Sequence, residues 1–138
     1  MDATGSSSAA DASEGAAAGA GAGRRFAQAL GRKDFDSIGA QLDPAIDFRA
    51  LTPGRQWEAS DAAGVIDGVL RHWFGDTDTL EAILWVETDS LADRQRVAYR
   101  FRGRNPDGPF VVEQQAYYTE RHGRIDWMRV LCSGFRPC

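Results

Sequence analysis

Cysteine is scarce in this 138-residue chain: there are two, Cys132 and Cys138, both at the C-terminal end. A domain of ordinary size needs no covalent staple, so this usage argues against a disulfide framework and leads us to expect a reducing, cytoplasmic setting. Histidine is equally scarce. His72 and His122 stand alone, and no HxxxH, HxH or CxxC spacing occurs, so no metal site and no cofactor are expected. No stretch approaches the roughly 20 apolar residues of a membrane-spanning helix, and the Ala/Gly-rich start lacks the basic and Leu/Val-rich regions of a signal peptide. No cluster of Lys and Arg is present either, which argues against nucleic acid or an anionic membrane as partner. A phosphate-cradling loop is missing too, because Gly19, Gly21 and Gly23 follow no strand.

What is present is unevenly spread. Residues 1–23 contain no aromatic, no Leu, Ile or Val and no basic residue, so they cannot bury a core. We read them as a disordered, low-complexity leader with transient helicity at most, and residues 24–138 as the folding unit. Setting aside the leader acids Asp2, Asp11 and Glu14 brings the formal net charge of −4 to −1. The length of the remainder suits one domain with one core.

Within that unit Phe26 and Leu30 mark a first short helix, and Asp34 caps a second carrying Phe35, Ile38 and Leu42. Asp43-Pro44 is expected to end it, because a residue before proline is pushed out of the helical region. Residues 45–51 alternate as a short strand, followed by a turn at Pro53-Gly54. A third helix, capped by Ser60 or Asp61, places Ile66, Val69, Leu70, Trp73 and Phe74 on one stripe and stops at Gly75. The period then changes to two in runs near 80–89, 95–104, 110–120 and 124–134, separated by turn-forming segments that include Arg121-His122-Gly123-Arg124. Helices first and strands last predict an α+β fold: three N-terminal helices packed on a curved, mostly antiparallel sheet that forms a cone-shaped half-barrel with an open end.

The helix pair ending Leu42-Asp43-Pro44, the strand Ile46-Asp47-Phe48-Arg49, the helix end Trp73-Phe74-Gly75 and the strands around Tyr117-Tyr118 and Gly123-Arg124-Ile125 carry a resemblance. Across residues 24–138 the chain resembles the nuclear transport factor 2-like superfamily, in particular its SnoaL-like branch, and the segment Trp127–Pro137 is similar to that of actinobacterial members. The resemblance implies the cone fold, a pocket for a small, largely apolar molecule and a homodimer through the convex sheet face. It implies no single reaction, since isomerases, cyclases, dehydratases, epoxide hydrolases and non-catalytic modules share the scaffold. The general-base aspartate of ketosteroid isomerases falls on Arg49, their oxyanion-hole aspartate on Gln115, and helices one and two offer no counterpart of their oxyanion tyrosine. Ketosteroid isomerase activity is therefore not implied.

Parity divides the third long strand into Val111, Glu113, Gln115, Tyr117 and Thr119 on one face and Phe110, Val112, Gln114, Ala116 and Tyr118 on the other. The position matched by Gln115 favours the first set as inward, with Asp126, Met128, Val130 and Cys132 inward on the last strand. Glu113 would then be a carboxylate in an apolar cone, the setting of a general acid or base, or else the partner of Arg100 or Arg102 on the neighbouring strand. Arg49, on the same strand face as Asp47, either orients a polar group of a ligand or forms an ion pair with it at the rim. Trp57, Trp73 and Tyr99 supply aromatic bulk for pocket or core, with Trp57-Glu58 placed to fold over the cone mouth. Tyr117, Met128 and Cys132 complete the expected lining, the cysteine as an inert buried thiol. Two functions remain: an acid-base enzyme of the cyclase, isomerase or dehydratase type with Glu113 as the titrating group, or a non-catalytic ligand-binding or dimerising module.

Overall fold

A computed structural model describes residues 14–138, with side chains from residue 21 onward. The first helix, α1 (Glu14–Gly31), starts ten residues before the boundary expected at Arg24 and packs against the sheet. Ala22, Phe26, Ala27, Ala29 and Leu30 are fully or nearly fully buried. Gly23 lies so close to the sheet that a Cβ there would fall 2.4 Å from the Tyr118 hydroxyl, and its N–H donates to that hydroxyl at 3.0 Å. Residues 21–23 thus belong to the folded unit, and the leader boundary at residue 23 is corrected. The small side chains that cannot build a core by themselves let a helix sit close against one. The leader reading of residues 1–13 lies outside the described residues.

Helix α2 (Phe35–Ala40) is capped as expected, with Asp34 accepting from the Ser37 N–H at 3.1 Å and from its hydroxyl at 2.7 Å. These hydrogen bonds hold the Asp34 carboxyl below its usual range. Strand β1 (Leu42–Thr52) begins earlier than expected, and Pro44 does not end a helix but falls at an irregularity in the ladder between Leu42 and Asp47, where a residue without an N–H is tolerated. A second strand, β2 (Arg55–Ala59), pairs antiparallel with β1 around the Pro53-Gly54 turn. It is a five-residue edge strand, too short for its alternation to stand out in the sequence.

The third helical segment runs continuously as α3 (Ala62–Val65), a π-helical turn (Ile66–Leu70) and α4 (Arg71–Trp73), with the Asp61 carboxylate capping its start at the Gly64 N–H. The wider π turn adds one residue to the repeat. Val65, and not Ile66, is therefore the fully buried residue that precedes Val69, Leu70, Trp73 and Phe74 on the inner face. Lys33 closes the loop that follows, donating to the carbonyls of Gly75 and Asp78 at 2.6 and 2.7 Å.

Strands β3 (Thr79–Leu91), β4 (Arg94–Asn105), β5 (Gly108–Arg121) and β6 (Arg124–Cys132) form the expected meander, and a two-residue β7 (Arg136–Pro137) returns along β5. The sheet order is β2-β1-β6-β5-β4-β3, antiparallel except where β1 runs parallel to β6. Two irregularities in β3 help the sheet to curl. The chain is an α+β fold whose helices lie against a curved, unclosed sheet, with one core formed by the inner strand residues Phe48, Tyr99, Phe101, Tyr118 and Met128 against Phe26, Leu30, Leu70 and Phe74. No described helix is long and apolar enough to cross a membrane.

Candidate functional site

The β5–β6 ladder determines what faces the cone. A regular ladder from the Arg121–Arg124 pair would set Glu113 opposite Cys132 and Tyr117 opposite Met128. The register shifts between Thr119 and Glu120, so that Met128 pairs with Tyr118, Val130 with Ala116 and Cys132 with Gln114. The inward placement of Met128, Val130 and Cys132 stands, while that of Val111, Glu113, Gln115, Tyr117 and Thr119 is reversed. Asp126 is the residue the shift accommodates, and its carboxylate accepts from the Thr119 hydroxyl at 2.6 Å. Composition held the signal that parity transferred from the turn did not: Phe110, Val112, Gln114, Ala116 and Tyr118 are the more apolar set.

Glu113 consequently lies on the convex face. Arg100, its cross-strand neighbour, donates to its Oε1 from Nε and Nη2 at 3.0 and 2.7 Å, and both side chains are 45% exposed. A half-exposed, paired carboxylate lacks the apolar surroundings that suit a general acid or base, so the catalytic expectation for Glu113 loses its premise. Gln115 is also convex and accepts from Arg96 at 3.2 Å, and Tyr117 is half-buried on the same face. Arg49 is exposed on β1, across from Glu58. Asp47 pairs with Arg129 at 3.1 Å, and not with Arg49. This convex face, on which the resemblance implied a homodimer contact, also stacks Arg94 and Arg129 on Trp127 and Arg100 over Trp85.

Trp57 sits on β2 and does not fold over the mouth as a loop. Its indole is half-buried, meets Trp73 edge-on at 6.0 Å, lies under the Arg55 guanidinium and donates to the Thr52 hydroxyl at 2.8 Å. His72 is exposed beside it, and His122 occupies a positive-φ turn position. Among the described residues no group of three His, Cys, Asp or Glu side chains is arranged to hold a metal.

The inner residues meet in a cavity of about 200 Å³ at the end of the sheet where β1 turns into β2 and β6 ends. Thr52, Trp73, Gln114, Cys132, Gly134 and Phe135 line it. Gly134 makes this end possible: its positive φ turns the chain, a Cβ there would fall 2.8 Å from Pro53, and its N–H donates to the Cys132 sulfur at 3.4 Å. Phe135 then stacks on Phe110 with centroids 4.1 Å apart and on Phe74 at 5.6 Å.

Behind the cavity the Tyr99 hydroxyl donates to Gln114 Oε1 at 2.6 Å. Burial pushes the Tyr99 phenol well above its ordinary range, so it stays neutral and remains a donor. Gln114 is 1% exposed, and its Nε2 has no partner; nor does the buried Nε1 of Trp73, whose side chain is 9% exposed. Of the expected pocket residues the structure gathers Trp73 and Cys132 on the cavity wall, with Tyr99 directly behind. Met128 is buried in the core away from that wall, and Gln114, Thr52 and Phe135 were missed. A second depression, about 240 Å³, runs along β1 and β2 and carries Arg49, Glu58 and Arg129 on its walls.

No protein-family profile and no curated protein matches the chain in sequence. Solved structures are similar to it in fold. A candidate isomerase from Bacillus subtilis superposes with a TM-score of 0.71 at 16% identity over 85% of this chain and 87% of that one. A candidate polyketide cyclase from Xanthomonas campestris gives 0.63 at 19% identity, covering 86% and 92%. An NTF2-like protein from Burkholderia thailandensis gives 0.59 at 19%, covering 82% and 88%. The chain has the nuclear transport factor 2-like fold, as the resemblance implied.

Proposed function

We propose that this protein binds a small, neutral, largely apolar molecule in the cavity at the open end of the sheet, and that binding is its function. The observation that carries this reading is the wall itself, which combines aromatic and small side chains with one buried amide and has no carboxylate, histidine, lysine or arginine. Of the acids, Glu113 is paired on the convex face, where it borders a separate depression that shares only Gln114 and Cys132 with this wall, and Glu120 borders neither. Similarity to candidate isomerases and cyclases supports a small-molecule pocket, but the wall offers no group to move a proton apart from the Cys132 thiol. The depression opens to solvent, and its volume of about 200 Å³ is room for one small aromatic ring.

Thermal denaturation with a small aromatic hydrocarbon tests the proposal. Ethylbenzene at ten times its Kd is expected to raise Tm by about 5 °C. The cavity-filling variant Cys132→Phe should show no such rise. Unchanged Tm in the wild type, or an equal rise in the filled variant, would place binding elsewhere or nowhere.

A further inference from the structure

Four of the six residues around the cavity belong to regular elements: Thr52 to β1, Trp73 to α4, Gln114 to β5 and Cys132 to β6. Gly134 and Phe135 do not. They lie on a C-terminal strap, residues 133–138, that leaves β6 and rejoins β5 only through β7.

The strap is held firmly at one end. Ser133 is fixed to β5, its N–H donating to the Glu113 carbonyl and its Oγ accepting from the Glu113 N–H, both at 2.9 Å. Gly134 follows with a φ of 77°, a conformation that lets the chain turn away from the ladder. Beyond it the attachment is slight: β7 is two exposed residues long, and the Cys138 N–H reaches the Pro109 carbonyl at 3.4 Å. Chain ends with so few backbone hydrogen bonds open at low free-energy cost.

What seats the middle of the strap is a single ring. Phe135 is half-buried, lies within 7° of parallel to Phe110, and also stacks on Phe74. Those two rings belong to different layers, Phe110 to β5 and Phe74 to the end of α4, so the space that Phe135 fills is a slot between sheet and helix. An apolar ring in such a slot is stabilised by burial and stacking, whichever molecule supplies it.

We propose, resting on the binding reading above, that Phe135 is a displaceable plug that sets the length of ligand the cavity takes. With the ring seated, a ligand has the cavity alone. A longer apolar ligand enters the slot between Phe74 and Phe110 when the strap swings out about Gly134. Exchanging one buried ring for another is nearly balanced, so the wild-type protein gains little affinity from the greater length.

Ethylbenzene and 2-ethylnaphthalene, titrated against the full chain by calorimetry, test this. The wild type should bind the two within about threefold of each other, whereas Phe135→Ala should prefer 2-ethylnaphthalene by at least about tenfold. Phe135→Leu keeps an apolar side chain to seat the strap; its preference should fall between the two, and it guards against a variant that fails to fold. In the wild type, proton NOEs between the Phe135 and Phe110 rings should persist with ethylbenzene bound and vanish with 2-ethylnaphthalene bound. The same preference in all three proteins, or ring contacts that survive the larger probe, overturns the plug and leaves the cavity reading intact. So does a wild type that binds ethylbenzene and rejects 2-ethylnaphthalene. Binding of neither probe overturns the cavity reading itself.

Discussion

Tyr99 and Arg100 are adjacent on β4 and point to opposite faces of one sheet, and their partners on β5, Gln114 and Glu113, are adjacent too. On the convex side the pair is charged, half-exposed and fully matched, and it continues into Arg96 with Glu87 and Asp89 at 3.2 Å each. On the concave side the pair is neutral and buried, and one of its donors has no partner. Solvated charges can pair at little gain or cost, whereas a buried polar group is tolerated only when neutral and mostly satisfied. Polar groups on the convex face thus complete a surface, and those on the concave face leave hydrogen-bonding capacity for something else.

The largest expected effect lies on the concave side. Phe101 is fully buried between Tyr99 and Phe74, at 5.0 and 6.2 Å between centroids, so Phe101→Ala should cost about 3–5 kcal/mol in urea denaturation. A loss below about 1 kcal/mol would mean that this side is not the core.

Glu120 gives a smaller, pH-dependent effect that tests the same contrast. It follows the inward parity of β5, and its Oε2 is buried without a partner. Burial raises its carboxyl above the ordinary value of 4.5, opposed by Arg25 and assisted by Asp126. The native state therefore holds this proton more tightly than the unfolded chain, and stability falls as pH rises from about 4.5 through the native pKa. Glu120→Gln removes this penalty, so its stability relative to wild type should be greater at about pH 7 than at about pH 4. An equal difference at both pH values in chemical denaturation would remove the burial argument.

The smallest effect belongs to the convex pair. Glu113→Gln should change stability by about 0.5 kcal/mol or less, because an exposed cross-strand ion pair contributes little. Its ligand titration should match wild type, and a lost ligand response would return Glu113 to the site.

Local patterns made most of the fold legible. The Asp34 cap, the turns at Pro53-Gly54 and His122-Gly123, the stripe through Val69, Leu70, Trp73 and Phe74 and the four period-two runs each express a rule acting over a few residues. What escaped depends on distant partners. Gly23 carries no apolar signal, and only the Tyr118 hydroxyl against which it packs shows why it is small. β2 needs β1 beside it to be a strand.

The candidate site was the least legible part for the same reason. Alternation along β5 divided its residues into two sets without stating which set faces inward, because a strand has the same repeat on both faces. That choice was made by the register shift where β6 accommodates Asp126, a feature of pairing between two strands. By itself the sequence determined the elements, their order and the α+β class, since these follow from short-range stereochemistry and hydrophobic period. Only the tertiary structure decided that Gln114 faces the core and Glu113 the solvent, because one extra residue in a partner strand moves every opposed side chain to the other face.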